Sequence, residues 1–327
     1  MSLFLSEPVS EAQAKFISMS RVSGGLHDYD WSIAGGVDPR IGGARRVAAS
    51  PIRSNRRPLP ASAARLLRIA WQTELAARLG DQLDDPGHRL ATLQTLPVQA
   101  YYSVFSAGRA LTHVAGSPKD QHASLHTSYA SEHHRRAAGV WGILLLRGDP
   151  EVVATCELAP PVVQPLAFNP MENRANEADY VWAALRMARR WRLERARQRW
   201  LESRQNRTKK GEPYKRLPTA ARQKHVLDER PTTVMDFLYE LRCSTNYRSL
   251  DEYAIEVEDQ HVARFHRGLT HLLDLGLLTY EGQIAQYTGL AALRDEFDDW
   301  SRRVKSVGTW VAEAGRGRLE ALHKAGL

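Results

Sequence analysis

Cysteine is nearly absent from this 327-residue chain: Cys156 and Cys243 are the only two, and they lie far apart. Such a pair builds neither a disulfide framework nor a cysteine-based zinc site, and it fits a reducing cytoplasm. Long apolar runs are missing too. The longest, around Ile143–Leu146, falls far below the roughly 20 residues that a membrane-spanning helix needs, so no membrane partner is expected. "MSLFLSEPVSEAQ" lacks a basic stretch leading into an apolar core, so no signal peptide is expected. There is no GxSxG elbow and no HExxH. The glycines of "IAGGVDPRIGGAR" lack the strand–loop–helix setting of a phosphate loop. No repeat at solenoid periods appears. These absences leave no cofactor to expect.

What is present is a globular composition, 43% apolar and 25% charged, with a net charge of +8. The sequence pI of about 9.6 favours an anionic partner such as nucleic acid. The charge is concentrated. Arg186 to Arg216 hold thirteen Lys/Arg against Glu194, Glu202 and Glu212, an excess of ten. Trp191, Trp200 and Tyr214 are interleaved, and such rings stack on bases. Arg186, Arg190 and Arg197 fall roughly along one helical face, as tracking a phosphate backbone requires. Arg186, Arg189, Arg190, Arg197, Trp200, Arg207, Lys209 and Lys210 are therefore the candidate nucleic-acid residues. The alternative is a solvated helix whose tryptophans pack on the body, followed by a disordered loop.

The pattern along the chain predicts a mainly α protein. Residues 1–60 are rich in Gly, Pro and Ser and read as an extended arm, with a short helix near its start and Trp31 and Ile33 packed on the body. Leu67, Trp71, Leu75 and Leu79 recur at helical spacing. A second helix is expected over about 90–115, with Tyr101, Phe105, Gly108 and Thr112 on one face and Gly108 admitting a close neighbour. A polar helical stretch follows it. "VWGILLLRGDPEVVATCELAPP" reads as a short hairpin. A long helix spans about 173–204. Thr233 and Asp236 form a capping-box pattern opening a helix with Phe237, Leu238 and Leu241 inward. Ser249 or Asp251 starts another, which carries Phe265, Leu269 and Leu272 and ends at Gly276. Further helices carry Leu290, Leu293, Phe297 and Trp300.

Two stretches resemble the HEPN superfamily, helical-bundle proteins of prokaryotic toxin and defence systems. "LPVQAYYSVFSAGRALTHVAG" followed by "DQHASLH" is similar to the family helix with paired tyrosines, a Phe and an Arg-Ala-Leu segment, with a His some residues on. "LYELRCSTNYRSLDEY" is similar to the family's helix ending in Leu-Arg, a small residue, Asn and Tyr. The first stretch also resembles YaaC-like bacterial proteins. The likeness covers about 61–138 and 233–275. It implies an antiparallel HEPN-like bundle in two parts, with an N-terminal arm (1–60), a small basic α/β insertion (139–232) and a C-terminal helical extension (276–327). It also implies a protein that acts on or binds RNA in a bacterial defence or toxin–antitoxin setting. Active members are dimeric, metal-independent ribonucleases; the alternative is a catalytically inactive module that binds nucleic acid or a partner protein.

The family pair is an Arg followed four to six residues later by a His. After Arg242 those positions hold Asn246, Tyr247 and Arg248. Asn does not exchange a proton at neutral pH, and an ordinary Tyr titrates near 10. Arg242 and Asn246 would hold a phosphate or close a helix. The proton-transfer group must then come from elsewhere. Arg109 and His113 share a helical face. His122 and His126, at i, i+4, lie nearby in sequence and have no third ligand at metal-binding spacing. The candidates are therefore Arg242 and Arg109 for phosphate, His113, His122 or His126 for proton transfer, and Asn246 with Tyr247 for positioning. His133 and His134 fit a solvated face.

Overall fold

The computed structural model describes residues 10–33, 38–49, 56–82, 86–130, 145–150, 157–159, 177–203, 205–208, 210–221, 224, 229–247, 257–304 and 309–327. The chain is mainly helical. In order it forms α1 (Glu11–Ile33), α2 (Pro39–Ala49), α3 (Ala61–Gln82), α4 (Pro86–Thr92), α5 (Leu96–Val114) and α6 (His122–Ser128). The strands β1 (Leu145–Arg147) and β2 (Glu157–Ala159) come next. Then follow α7 (Glu177–Glu202), α8 (Val234–Tyr247), α9 (Asp259–Thr288), α10 (Leu290–Val304) and α11 (Thr309–Lys324).

One apolar core joins these helices, with Phe16, Val47, Trp71, Tyr101, Trp182, Phe237, Leu269, Phe297 and Leu322 among its buried members. Its axis is α9, packed on α1, α5, α2, α10 and α11. From Leu272 to Ala285 its side chains are almost all buried, whichever way they face. Such a stretch needs neighbours on every side, apolar ones for its leucines and an ionic one for Asp274 and Glu281. Gly276 does not end it. A glycine inside a helix costs about 1 kcal/mol, and burial on all sides outweighs that. The stop is Gly289, whose φ of 88° is a backbone conformation that a Cβ disfavours.

Where an extended arm was expected, Glu11–Ile33 and Pro39–Ala49 form helices α1 and α2. Gly24 and Gly25 are packing residues. A Cβ on Gly268 of α9 would run into the carbonyl of Ser23 in α1, and one on Gly25 would run into the Tyr180 ring of α7. Removing those side chains lets α1 lie against both helices. Single-sequence reading takes "SGG" as a breaker because the partners that reward it are more than 150 residues away. Trp31 remains 40% exposed. The side chain of Ile33 lies outside the described residues.

Gly108 behaves as its spacing suggests: a Cβ there would sit 2.9 Å from Tyr280 of α9 and 3.1 Å from Leu125 of α6. The hairpin also forms. Antiparallel pairing sets Leu145 opposite Ala159 and Arg147 opposite Glu157. Leu146 bonds Thr232 in both directions, its N–H to the Thr232 oxygen at 2.9 Å and the reverse at 3.0 Å. That bridge fixes the chain just before α8.

A second buried system ties the bundle together. The Arg318 guanidinium is fully buried. It donates to both Glu74 carboxylate oxygens at 2.7 and 2.8 Å, to Glu281 at 2.8 and 3.0 Å, and to Asp274 at 2.8 Å. It thereby joins α11, α3 and α9. The Trp71 indole N–H donates to Glu281 at 2.8 Å.

Candidate functional site

The site begins at the start of α8. The Thr233 N–H donates to Asp236 Oδ2 at 2.9 Å, and the Asp236 N–H reaches back to Thr233 Oγ1 at 3.4 Å. This is the expected capping box, and it places a buried carboxylate in the first helical turn, where the helix dipole favours negative charge. Arg230 donates to both Asp236 oxygens at 2.9 and 2.6 Å, and Arg192 of α7 approaches at 3.4 Å. Burial alone would raise the Asp236 carboxyl, but Arg192, Arg230 and the His126 hydrogen bond outweigh it and hold it well below the usual range.

From Asp236 a line of hydrogen bonds runs outward. His126 Nδ1 lies 3.0 Å from Asp236 Oδ1, and His126 Nε2 lies 3.0 Å from the Tyr101 hydroxyl. That hydroxyl lies 2.6 Å from His122 Nδ1. His126 is buried and His122 half-buried. Burial lowers the His126 imidazole, though Asp236 opposes the shift. Burial pushes His122 down to about 4, with Arg242, His126 and Arg109 adding to it. Burial also raises the Tyr101 phenol. Both imidazoles are therefore neutral at pH 7 and the phenol keeps its proton.

His122, His126 and Asp236 line a cleft of about 430 Å³, with Tyr239, Arg192, Arg195, Arg199, Arg230 and Glu229 among its other walls. Four arginines face two carboxylates there, so the cleft is cationic. Arg192 is ion-paired with Glu229 and Arg195 with Glu240. Arg199 is exposed.

Arg242 is not at a helix end. The α8 helix continues through Asn246 and Tyr247. The guanidinium turns inward instead, donating to the Tyr102 hydroxyl at 2.6 Å. It lies 5.0 Å from the Tyr239 ring centroid, 5.4 Å from Tyr102 and 5.5 Å from Tyr101. Each such cation–ring contact contributes about 0.5–2 kcal/mol. His122 packs on the same three rings, at 5.6 Å from Tyr101, 6.1 Å from Tyr102 and 5.8 Å from Tyr239. The side chains of Asn246 and Tyr247, and all of Arg248, His133 and His134, lie outside the described residues.

The fold thus brings Arg242, His122 and His126 together. Arg109 stands at the edge of this group. It is close enough to His122 to disfavour its charge, but it donates to Asp120 at 2.9 Å. His113 points elsewhere, with Nδ1 3.1 Å from Ser62 Oγ.

The basic run divides into two kinds of residue. Arg186 donates to the Pro150 carbonyl at 2.6 Å, and the fully buried Arg189 donates to the Arg230 carbonyl at 2.7 Å. Both fasten the hairpin and the chain before α8, and the fully buried Arg189 has no face toward solvent. Arg197 pairs with Glu194 at 2.7 Å on the surface. Arg190 and Lys210 are exposed. Arg207 pairs across a short loop with Pro213, and the Trp200 and Tyr214 rings meet at 5.4 Å. Lys209 lies outside the described residues.

Sequence reasoning missed Asp236 as a site residue, together with Tyr101, Tyr239, Arg192, Arg195 and Arg230. The capping box marked Asp236, but only as a helix start. Among the described residues no group of three His, Cys, Asp or Glu is placed to hold a metal, and no helix is long and apolar enough to cross a membrane. No family model matches the chain, and neither does any curated protein or solved structure.

Proposed function

We propose that the protein is a HEPN-like, RNA-directed protein whose cationic cleft seats an RNA phosphate beside His122. The supporting observation is the meeting of His122 and Arg242 on one set of tyrosine rings, Tyr101, Tyr102 and Tyr239. These are the two residue types that the resemblance calls for, supplied by α6 and α8 instead of by one short motif. In this reading Arg199 contacts the phosphate, and the buried Arg242 supplies positive potential behind His122. His122, neutral at pH 7, accepts the proton of a ribose 2′-hydroxyl. Trp200 and Tyr214 offer faces to neighbouring bases. The defence or toxin–antitoxin setting, and a dimeric state, come from the resemblance alone.

Purified protein incubated with tRNA or total RNA in the presence of a chelator tests this. Cleavage that is lost in His122→Gln and Arg242→Ala is the expected result. A second reading, an inactive RNA-binding module, is favoured by the neutrality of both imidazoles, which leaves no imidazolium ready to protonate a leaving group. Binding that weakens with salt, without cleavage, supports the module. Neither binding nor cleavage at low salt refutes both.

A further inference from the structure

The hydrogen-bonded line from Asp236 to His122 has one polarity. Asp236, ionised, only accepts, so His126 Nδ1 carries a hydrogen and donates it. The neutral His126 then presents a bare Nε2, which accepts the Tyr101 hydrogen. The Tyr101 oxygen, having donated its one hydrogen, accepts from His122 Nδ1–H. That leaves the second nitrogen of His122, Nε2, with a free lone pair. Successive bonds of one direction polarise each other in a buried setting. The groups around the two rings differ. Arg242 and Arg109 act on His122, with the Tyr102 and Tyr239 rings packed against it. His126 faces Asp236 directly; Arg230 donates to the same Oδ1 and Arg192 approaches Oδ2, so the carboxylate favours charge on the ring while the two arginines oppose it.

We propose that Tyr101 couples His122 and His126 into a two-histidine proton store, with Asp236 as its anchor. This rests on the cleft reading above and explains how a site without a second exposed imidazolium supplies an acid. His122 Nε2 takes the proton of the 2′-hydroxyl as that oxygen attacks phosphorus. The Nδ1 hydrogen of His122 passes to the Tyr101 oxygen, and the former Tyr101 hydrogen passes to His126 Nε2. The positive charge now rests on His126 against Asp236, away from Arg242. His122 is neutral again, with its hydrogen on Nε2. When the phosphorus–5′-oxygen bond breaks, the leaving oxygen takes that hydrogen and the line runs back to its starting state. Protons and charge balance with no further reactant. Tyr101, His126 and Asp236 are positioning residues, since each acts on the reacting atoms only through His122.

Imidazole nitrogen NMR of the full chain between pH 3 and 8 tests the coupling. His122 and His126 are expected to titrate together through one midpoint, sharing one proton. Tyr101→Phe keeps the ring that stacks on Phe105 at 5.7 Å but lacks the hydroxyl. It is expected to split the curves and to release His122 from its Nδ1–H tautomer. Separate wild-type midpoints, or curves unchanged by Tyr101→Phe, would overturn the proposal. Should that variant not fold, His122→Gln cuts the line from its half-buried end. The His126 transition should then move, and an unmoved transition likewise overturns the proposal. If the wild type cuts RNA, Tyr101→Phe should lower kcat roughly a hundredfold at constant KM. If the wild type neither cuts nor binds RNA, the RNA reading fails while the titration still decides whether the proton is shared.

Discussion

Asp236→Asn is the most informative single substitution. The side chain is almost fully buried and meets Arg230, Arg192, His126 and the Thr233 N–H. Removing one charge from a buried ion pair costs about 3–5 kcal/mol, because its partners are left uncompensated. The lower end applies. The amide oxygen of Asn still accepts from Thr233, and Arg192 keeps Glu229. Unfolding entropy of about 2.1 cal/mol/K per residue over 327 residues gives about 0.7 kcal/mol/K near 60 °C, so about 3 kcal/mol lowers Tm by about 4 °C. The effect depends on pH with a definite sign. The folded pKa of Asp236 is depressed, so its stabilisation is complete above the unfolded value of about 3.9 and disappears as pH falls through the folded value. Calorimetry at pH 7 and at stepwise lower pH should show the gap between wild type and variant closing only below about pH 4. A Tm change under 1 °C at pH 7, or a gap that widens in acid, would refute the account of Asp236 as an ionised anchor.

Three further outcomes follow from the buried ion pairs and the glycine contacts. Arg318→Leu leaves buried Glu281 with the Trp71 N–H but without its Arg318 cation and leaves Glu74 with Arg78, and it should lower stability by about 3 kcal/mol, or Tm by about 4 °C, in thermal unfolding. Gly268→Ala should drive α1 away from α9, lowering stability by at least about 1–3 kcal/mol and exposing α1 to proteolysis. Gly42→Ala in α2, where a Cβ would meet nothing closer than 3.8 Å, should instead be neutral or stabilising by up to about 1 kcal/mol.

Much of the local structure was legible. The long helices, the hairpin, the cap at Thr233 and the close approach at Gly108 follow from spacing and residue type, which act within a few turns of chain. The first sixty residues were not legible, because a glycine that ends one helix and a glycine that seats another helix look alike without the partner. The site divides the same way. "QHASLH" marked His122 and His126 as candidates, and "LYELRC" marked Arg242. Nothing in either stretch reveals that Tyr101 and Tyr239 hold them together.

The sequence by itself determined the helical class, the concentration of positive charge in α7 and the loop after it, and the absence of a His in the four to six residues after Arg242. Only the tertiary structure decided how those charges are used. Arg189, Arg192 and Arg199 belong to one helix and look alike in sequence, yet burial makes the first two internal fasteners and leaves Arg199 exposed at the cleft. It also decided Arg242's partner. A hydrogen-bonded line from Asp236 through His126 and Tyr101 to His122 needs α5, α6 and α8 side by side, and no pattern within one helix encodes that adjacency.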